Sequence, residues 1–498
     1  MEKADEVNQD HAHPLLAPLV ESLRVDDLES RIRRSPLDGL DPTVVSNERR
    51  HQLLDEMQEQ LFQPTTVTLD LGTRLFRMIR RGYLMRDPRQ LSVRKKALAL
   101  AAQSGRKLNE LPWFQSYAKC MRVSGETGTG KTYELTNLLR LVPPEIVHPE
   151  NKEAGWAHLV QVPRLYVSMA HDGTLGGLLL SILVALDEAI GTNYSTQSSL
   201  TRLSNEKLAV RIGIILRVHA VGVLVIDEIQ ERNFTGSHGS LAALFFLRLL
   251  NFGIPLVLMG NPFGLSALDR FSQDVRRTGS AGTIDFEPHT VNDFDWVNCI
   301  APSVWAYYVL PKPAEFVDKD GALLFRYSGG IRDYGCRVSI AAQRLALDLG
   351  DDALTEAHLE MAFQGSDFSQ KDRDLIQGFV LRDPIRLQKF EDVRVGYYAK
   401  KWGLLTSAVS AEPVSNSSEA TTHGAADESP GGTEAATAKP PRTQHHKEVT
   451  AAKRLATQRA NERERRESAK AKCGEDDIRN DGLKSFLVTG FDALRGAI

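Results

Sequence analysis

The sequence Gly125-Glu-Thr-Gly-Thr-Gly-Lys131-Thr132 follows the pattern G-x-x-x-x-G-K-T. Residues 120–124 form a short apolar stretch before it, and residues 133–141 follow with the apolar spacing of a helix. A strand, a glycine-rich turn and a helix in this order are the context in which the pattern forms a phosphate-binding loop. The alternative is a glycine-rich surface turn, which would not require the flanking strand and helix. We therefore expect an α/β fold that binds a nucleotide.

Each residue type in this loop has a physical role in holding phosphates. Glycines allow the backbone to wrap so that several N–H groups point inward, and the following helix presents the positive end of its dipole. Lys131 is placed to reach the β- and γ-phosphates, and the Thr132 hydroxyl to ligate Mg²⁺. The expected cofactors are thus ATP and Mg²⁺. The expected nucleotide-binding residues are Gly125, Glu126, Thr127, Gly128, Thr129, Gly130, Lys131, Thr132 and Tyr133.

A second stretch, residues 221–228, is an unbroken apolar run that ends in two carboxylates, Asp227 and Glu228. Such a run predicts a strand buried on both faces, whose carboxyl end lies at the edge where ligands bind in parallel sheets. Asp227 is expected to hold Mg²⁺, and Glu228 to orient and deprotonate the attacking water. Acidic residues are also common in loops after strands, so the prediction depends on the phosphate loop upstream.

Four further polar positions are candidates for the same site. Asn261 follows the apolar stretch 255–260, where its amide could hydrogen-bond the attacking water; the alternative is a helix cap or turn. Arg276 and Arg277 are either ordinary surface charge or a finger that enters the neighbouring subunit's site. Arg332 begins an expected helix and could contact the γ-phosphate from the same chain.

The composition limits the classes of function. The chain has 498 residues, of which 42% are hydrophobic and 25% charged, with a formal net charge of −3. Binding to nucleic acid would therefore need a local basic patch. The four cysteines are scattered without a C-x-x-C pair, so neither a metal site nor a disulfide framework is indicated. No stretch approaches about 18 uninterrupted apolar residues, and the amino terminus has no signal-peptide core. We expect a cytoplasmic protein without a membrane segment.

Apolar periodicity predicts the remaining elements. Further strands are expected at residues 164–169, 255–260 and 282–286. Helices are expected at residues 19–32, 47–62, 71–83, 91–103, 176–190, 200–218, 240–250, 316–328, 331–349 and 355–364. The amino-terminal helices carry clustered arginines and lysines, which are either a solvated face or a contact with DNA or a partner.

The carboxyl-terminal part of the sequence changes in composition. Residues 408–446 are rich in Ser, Thr, Ala, Gly, Pro and Glu, which is typical of a disordered linker. Residues 447–472 are dense in Lys, Arg and Glu and predict a solvated helix, with a transient contact to nucleic acid as the alternative. Residues 478–498 regain apolar side chains on this long tether, which indicates either a docking peptide for a partner or a frayed end.

Several of these stretches together resemble a known family, the AAA+ transposition regulators of the TnsC/TniB type from Tn-seven-like elements. The resemblance covers residues 65–365 approximately, and IDEIQ followed by LLNxGIPLVLxG is its most specific part. The matching stretches are MIRRGYLMRDP (78–88), GETGTGKT (125–132), LDEAIGTNY (186–194), GVLVIDEIQ (222–230), LLNFGIPLVLMGNP (249–262) and DVRRTGSAG (274–282).

The resemblance implies a five-stranded parallel sheet with a helical lid, a helical amino-terminal extension and a disordered carboxyl-terminal tail. It implies ATP-driven assembly into a ring or helical filament around double-stranded DNA, and partners that are a target-selector protein and a transposase, the latter engaged by the terminal peptide. By the family pattern, Asp227 is the metal residue, Glu228 the hydrolytic base, Asn261 the first sensor, Arg276 or Arg277 the finger, and Arg332 the second sensor. Expected DNA contacts, in the pore of the assembly, are His171, Thr174, Arg202 and Lys207.

These interpretations predict a domain order. We expect a helical extension at 1–112, a nucleotide-binding core at 113–300, a lid with following helices at 301–407, a linker at 408–446 and a charged helix with the docking peptide at 447–498. Two other classes fit the same nucleotide motifs: an AAA+ replication initiator or helicase loader, and a nucleotide-gated signalling scaffold that does not bind DNA.

Overall fold

The computed structural model describes residues 12–42, 44–112, 116, 118–170, 173–230, 236–269, 272–312 and 315–404. The expected linker, charged helix and docking peptide therefore lie outside the described residues. None of the helices that the structure describes combines the length and the hydrophobicity needed to cross a lipid bilayer.

A five-stranded sheet forms the centre of the fold, in the order β4-β5-β6-β1-β7, and every neighbouring pair in it is parallel. A separate antiparallel pair, β2 and β3, lies between β1 and β4 in the sequence. The strands are β1 (Cys120–Gly125), β2 (Ile146–His148), β3 (Leu159–Gln161), β4 (Arg164–Ser168), β5 (Val223–Ile229), β6 (Leu256–Gly260) and β7 (Thr283–Phe286). The predicted strands are confirmed, and the β2–β3 pair was not predicted.

Helices cover both sides of this sheet and continue beyond it. Before the lid they span Leu28–Ile32, Asn47–Gln60, Thr66–Leu84, Leu91–Ala101, Lys131–Leu139, Leu175–Ile190, Ser198–Thr201, Asn205–Val218, Gly236–Asn251, Pro262–Ser266 and Ser272–Thr278. A π-helical turn, Trp296–Ile300, begins the last group of described helices, residues 296–401, which is called the lid from here on. The lid helices span Ala301–Ala306, Asp318–Ser328, Arg332–Leu349, Glu356–Gln364, Gln370–Val380, Pro384–Leu387 and Val395–Lys401.

The amino-terminal helices pack into two different hydrophobic clusters. Leu75 and Ile79 of the helix Thr66–Leu84 are fully buried in the cluster that also contains Met121 of β1 and Val257 of β6. The helix Asn47–Gln60 contributes Leu53, Leu54 and Met57 to the cluster of the lid instead. Burying one such side chain stabilises a fold by about 1.5–3 kcal/mol. Both helices therefore contribute to the stability of the cluster in which their side chains are buried.

Two predicted helices differ from the structure. The segment 19–32 is helical only at Leu28–Ile32, because Asp27 has a left-handed backbone with φ 59° and the Arg31 guanidinium binds the carbonyls of Glu21 and Arg24. The segment 200–218 is two helices, Ser198–Thr201 and Asn205–Val218.

The break in the second segment has a local cause. Ser204 is extended, with φ −66° and ψ 152°, at the N-cap position of the second helix. Its side chain makes no capping hydrogen bond, so the break is marked by this extended backbone alone. The spacing of apolar residues alone does not predict this break between the two helices.

Candidate nucleotide-binding site

The phosphate loop, residues 125–132, joins the end of β1 to the helix Lys131–Leu139. Gly125, Gly128 and Gly130 have positive φ angles of 154°, 79° and 95°, which side chains with a Cβ rarely adopt. A Cβ on Gly125 would lie 2.2 Å from the carbonyl oxygen of Phe286 on the paired strand β7. The glycines thus allow the tight wrap that directs backbone N–H groups toward an anion.

Lys131 is folded onto the loop that precedes it. Its Nζ donates to the carbonyl oxygens of Gly125 at 2.8 Å and Glu126 at 2.7 Å. Burial lowers the pKa of Lys131, and nearby carboxylates act in the opposite direction. These carboxylates are those of Glu126, Asp227, Asp285 and Asp392. The ammonium group is therefore held at the loop by polar contacts that phosphate oxygens could replace.

The two expected Mg²⁺ ligands are in direct contact. Thr132 Oγ1 donates to Asp227 Oδ2 at 2.9 Å, across 95 positions of sequence. Tyr166 of β4 donates its hydroxyl to the same carboxylate oxygen. Burial, followed by the neighbouring Asp227 carboxylate, raises the pKa of Tyr166, so this hydroxyl keeps its proton. Tyr166 was not singled out from the sequence, where it is one apolar-strand residue among several.

Glu228 occupies an irregular position at the end of β5. Two residues of β5, Asp227 and Glu228, oppose the single residue Met259 of β6, which makes a β-bulge. Glu228 has φ 57° and an exposed side chain, whereas Asp227 is 3% exposed. A left-handed conformation costs a non-glycine residue about 1–2 kcal/mol. The bulge therefore turns two successive carboxylates in different directions, one inward to Thr132 and one outward.

The side chains at this site fit a nucleotide triphosphate with Mg²⁺. The loop offers backbone donors and the ammonium group of the half-buried Lys131, and Thr132 and Asp227 offer two oxygen ligands. Magnesium needs few protein ligands when phosphates and waters complete its octahedron. Among the described residues, no group of three or more His, Cys, Asp or Glu side chains could hold a metal ion alone. A magnesium ion here would thus depend on the nucleotide.

Asn261 caps a helix. Its Oδ1 accepts a hydrogen bond of 2.6 Å from Gly264 N–H, at the start of the helix Pro262–Ser266. This is the alternative that the sequence left open, and it leaves the Nδ2 group of the same side chain for another acceptor. Its expected contact with the attacking water stays a prediction.

The two candidate finger arginines lie within the helix Ser272–Thr278 and differ in environment. Arg277 is half-buried, and its Nη2 donates to Asn251 Oδ1 at 2.6 Å. Arg276 is exposed and makes no hydrogen bond or ion pair with the described part of the chain. Arg276 is consequently the one of the two that is available to a neighbouring molecule.

Arg332 begins its helix as predicted, and its guanidinium is buried. Its Nη1 donates to Glu134 Oε1 at 2.6 Å, and Glu134 Oε2 accepts from Thr68 at 2.5 Å. The ring centres of Phe62 and Tyr133 each lie 5.2 Å from Cζ of the Arg332 guanidinium. Arg332 thus joins the lid to the helix of the phosphate loop, and its expected γ-phosphate contact stays a prediction.

Tyr133, expected among the nucleotide-binding residues, belongs to the same group of contacts. Its hydroxyl donates to the carbonyl oxygens of Glu59 and Leu61, each at 3.0 Å. Thr129 turns back within the loop, where its hydroxyl donates to Glu126 O at 2.7 Å. These contacts hold the loop and the helix after it against the amino-terminal segment.

Two residues near the end of the described chain form hydrogen bonds with the phosphate loop. The sequence did not indicate these contacts. Arg394 donates to Glu126 Oε1 at 2.8 Å and to Asp285 Oδ2 at 2.6 Å. Asp392 accepts from the Thr127 hydroxyl at 2.7 Å. Glu126, which is 2% exposed, would otherwise be a buried carboxylate without a cation. No local pattern could have identified a partner 268 positions away.

The residues expected to contact DNA are only partly described. His171 lies outside the described residues. The Thr174 hydroxyl caps the helix Leu175–Ile190 by accepting from Gly177 N–H at 3.0 Å. Arg202 is exposed in the break between two helices, and Lys207 is half-buried on the second of them. Their DNA contacts remain predictions.

Comparisons with known proteins identify the domain. A family profile described as an AAA domain matches residues 115–268. A search of curated proteins finds no match. Among solved structures, the chain is similar to the RuvB Holliday junction branch migration motor of Thermotoga maritima, at 16% identity and a TM-score of 0.29, over 63% of this chain and 82% of that one. It is also similar to the ORC2 protein of Aeropyrum pernix, at 15% identity and a TM-score of 0.36, over 63% and 79%.

A third similar structure is the Aeropyrum pernix ORC1 protein in complex with DNA, at 19% identity and a TM-score of 0.34, over 64% of this chain and 79% of that one. At such values the assignment rests on the family profile, the phosphate loop and the strand order. Residues 115–268 are an AAA domain, and the chain has the AAA+ P-loop fold.

Proposed function

We propose that this chain is an ATP-dependent, DNA-binding regulator of transposition. It assembles on target DNA, links a target-selector protein to the transposase, and disassembles when ATP is hydrolysed. The observation that carries the proposal is that the candidate site residues fall into two groups. Lys131, Thr132, Asp227 and Glu228 stand together in one chain, whereas Arg276 projects from the surface without a recorded partner among the described residues.

The residues of one chain have separate tasks in the hydrolysis of ATP. Lys131 and the loop N–H groups bind the phosphates, and Thr132 and Asp227 would hold Mg²⁺, which neutralises phosphate charge when bound. The Tyr166 hydroxyl fixes the orientation of the Asp227 carboxylate. Glu228, exposed beside it on the bulge, accepts the proton of the attacking water.

A second copy of the chain completes the site. An arginine that reaches the γ-phosphate from a neighbouring subunit stabilises charge in the transition state and joins the two copies while ATP is intact. Because hydrolysis removes the group that both copies bind, it releases the contact. ATP hydrolysis then acts as a timer for disassembly.

The transposition role is supported by the specific stretches of sequence. IDEIQ forms the bulged end of β5, LLNFGIPLVLMGNP runs from the helix Gly236–Asn251 through β6 to the start of the next helix, and DVRRTGSAG carries Arg276. The docking of a transposase on residues 478–498 and the contact with a target selector are proposals from the sequence.

Binding to a fluorescent DNA duplex over a range of salt concentrations tests the DNA part of the proposal. We expect binding with a non-hydrolysable ATP analogue, with a slope of log K against log salt of about −0.9 per phosphate contacted, and loss of binding with ADP. Absence of DNA binding in both nucleotides would favour the signalling scaffold.

An integration assay tests the transposition part. The purified chain is combined with the transposase and a donor element, and insertions into a target plasmid are counted. We expect insertions with wild-type protein and their loss with Lys131→Ala. ATP-dependent DNA binding without any effect on insertion would favour a replication initiator or helicase loader, which has the same nucleotide motifs.

A further inference from the structure

A cavity of about 200 Å³ lies at the amino-terminal edge of the sheet, the edge opposite the phosphate loop. Ala118 and Gly253, which line it, come just before β1 and β6, respectively. The six residues of β1 separate this cavity from the phosphate loop by about 17 Å at the usual rise of a strand. The cavity is therefore not part of the nucleotide site.

Arg86 contributes a buried and incompletely bonded guanidinium to this cavity. The residue is 8% exposed, and its Nε donates to Gly82 O at 2.9 Å. Its Nη1 and Nη2 atoms are both buried and have no hydrogen-bond acceptor in the described part of the chain. Tyr83 lies against the guanidinium, with its ring centre 5.2 Å from Cζ, but supplies no acceptor for these atoms. Leaving charged donors unpaired in the interior costs several kcal/mol per group.

Arg217 adds a second positive charge next to the first. Its Nη1 donates to Phe252 O at 2.8 Å, while its Nε is buried without an acceptor among the described residues. Burial lowers the pKa of Arg217 to about 9, with a further contribution from Arg86, and burial lowers the pKa of Arg86 to about 10. Both groups therefore remain protonated at neutral pH and repel each other.

The remaining lining is arranged around the same space. A Cβ on Gly253, which has φ 84°, would lie 2.9 Å from Arg217 Nη1, 3.4 Å from Arg86 Cδ and 3.7 Å from Ser116 Oγ. The absence of a side chain at this glycine allows the three to converge. Asn251 is 5% exposed, and its Oδ1 accepts a hydrogen bond from Arg277 Nη2. Its Nδ2 is buried without an acceptor in the described residues.

The cavity lacks a negative charge of its own. None of the described residues that line it is Asp or Glu, and Lys96 adds a third cation beside the two arginines. The lining thus offers three positive charges, an amide donor and the Ser116 hydroxyl with no acceptor that neutralises them. A doubly charged tetrahedral anion, which has several oxygens to accept from diverging donors, fits this set better than a single carboxylate.

We propose that this cavity is a second anion site, which binds a phosphate-class oxyanion independently of the phosphate loop. The oxyanion accepts hydrogen bonds from the Nη atoms of Arg86, from Arg217 and from Asn251 Nδ2. Its source is either a free phosphate group, as in inorganic phosphate or a phosphorylated small molecule, or a phosphate of the DNA backbone. Both sources supply the same chemistry to the arginines.

Thermal unfolding of the full-length Lys131→Ala protein tests the site without the main phosphate ligand of the loop. Inorganic phosphate is compared with chloride at equal ionic strength and without nucleotide. We expect phosphate to raise the unfolding midpoint by at least about 2 °C. The rise should disappear when Arg86→Met or Arg217→Met is added, and persist with Arg81→Met, which removes an exposed arginine from the end of the helix Thr66–Leu84.

Equilibrium dialysis with radiolabelled phosphate keeps the test decisive if a methionine variant fails to fold. Arg86→Lys, which keeps the charge but loses the forked donors, should weaken phosphate binding about tenfold. Repeating the dialysis with wild-type protein, in the non-hydrolysable ATP analogue that DNA binding requires and with saturating DNA duplex, separates the two sources: displaced phosphate identifies the DNA backbone, and unchanged binding identifies a free phosphate. A protein without phosphate-specific stabilisation, or one whose stabilisation survives Arg86→Met, would overturn the proposal.

Discussion

Arg394 Nε donates a hydrogen bond of 2.8 Å to Glu126 Oε1, and this contact ties the start of the last described helix to the phosphate loop. The same guanidinium bonds to Asp285 at the end of β7. The loop is therefore held from two sides, by the sheet that carries it and by the last described helix of the lid.

This contact predicts that Arg394→Met lowers the free energy of unfolding by about 3–5 kcal/mol, because it leaves the buried Glu126 carboxylate without its cation. The measurement is unfolding in urea. The matched control is Arg326→Met, which breaks an ion pair with Glu356 whose side chains are 60% and 61% exposed. The control should cost less than about 1 kcal/mol, and equal losses in the two variants would refute a structural role for Arg394.

The bulge at Asp227 and Glu228 predicts a separation of binding from hydrolysis. Glu228→Gln keeps the size of the side chain but cannot take a proton, so we expect ATP turnover to fall about 10²–10⁴-fold, with ATP affinity unchanged. Assembly on DNA should persist, because ATP stays intact. Phosphate release and ATP binding are measured side by side, and a variant that hydrolyses at the normal rate would exclude Glu228 as the base.

The different environments of Arg276 and Arg277 predict which of them acts on the neighbouring copy. Arg276→Ala should reduce ATP turnover at least about 10³-fold without lowering the unfolding midpoint. Arg277→Ala, which removes the bond to Asn251, should affect stability more than turnover.

Mixing two inactive variants tests whether that action is between subunits. Lys131→Ala lacks a working phosphate loop, and Arg276→Ala lacks the finger, so a mixed assembly contains some sites with both residues intact. We expect activity to return to a substantial fraction of the wild-type level on mixing. No recovery in a mixture that does form joint assemblies would place the arginine in its own chain's site or outside any site.

Burial of Lys131 predicts a pH dependence of nucleotide binding. Since burial lowers the pKa of Lys131, the ammonium loses its proton at a pH below the ordinary lysine value of 10.5. The pKa values of Tyr133 and Tyr166 are raised by burial, so these hydroxyls stay neutral over the same interval. Affinity for ATP should therefore fall already below pH 10.5, and Lys131→Arg should flatten the profile. An unchanged affinity up to pH 10.5 would contradict a binding role for the lysine charge.

The same lowered pKa has a consequence for stability. A lysine whose pKa is lower in the folded than in the unfolded protein disfavours folding while it is charged. The free energy of unfolding should thus gain a contribution as pH rises from the folded to the unfolded pKa of Lys131. The gain should be absent in Lys131→Met.

The sequence was sufficient where a feature lies in one continuous stretch. The phosphate loop, the strand ending at Asp227 and the helix beginning at Arg332 each have a local pattern of glycine, apolar or charged residues. Such patterns follow from backbone geometry and from the spacing of buried side chains, so they can be recognised without tertiary information.

Features that depend on distant residues could not be predicted in this way. Tyr166 reaches Asp227 because β4 and β5 pair in parallel, and Arg394 reaches Glu126 because the lid folds back on the loop. The left-handed Asp27 interrupts a helix that its apolar spacing favours. In each case a tertiary contact or a single backbone angle decides the outcome, and neither leaves a periodic signal.

The central claim is that an intact triphosphate joins neighbouring copies of the chain on DNA. The most direct test is mass photometry of the wild-type protein with a DNA duplex, in a non-hydrolysable ATP analogue and in ADP at equal concentration, followed by electron microscopy of the assembled sample. We expect rings or filaments of several copies around the duplex in the analogue, and single copies in ADP. The same distribution of masses in both nucleotides, or single copies that ignore the duplex in the analogue, would contradict the account.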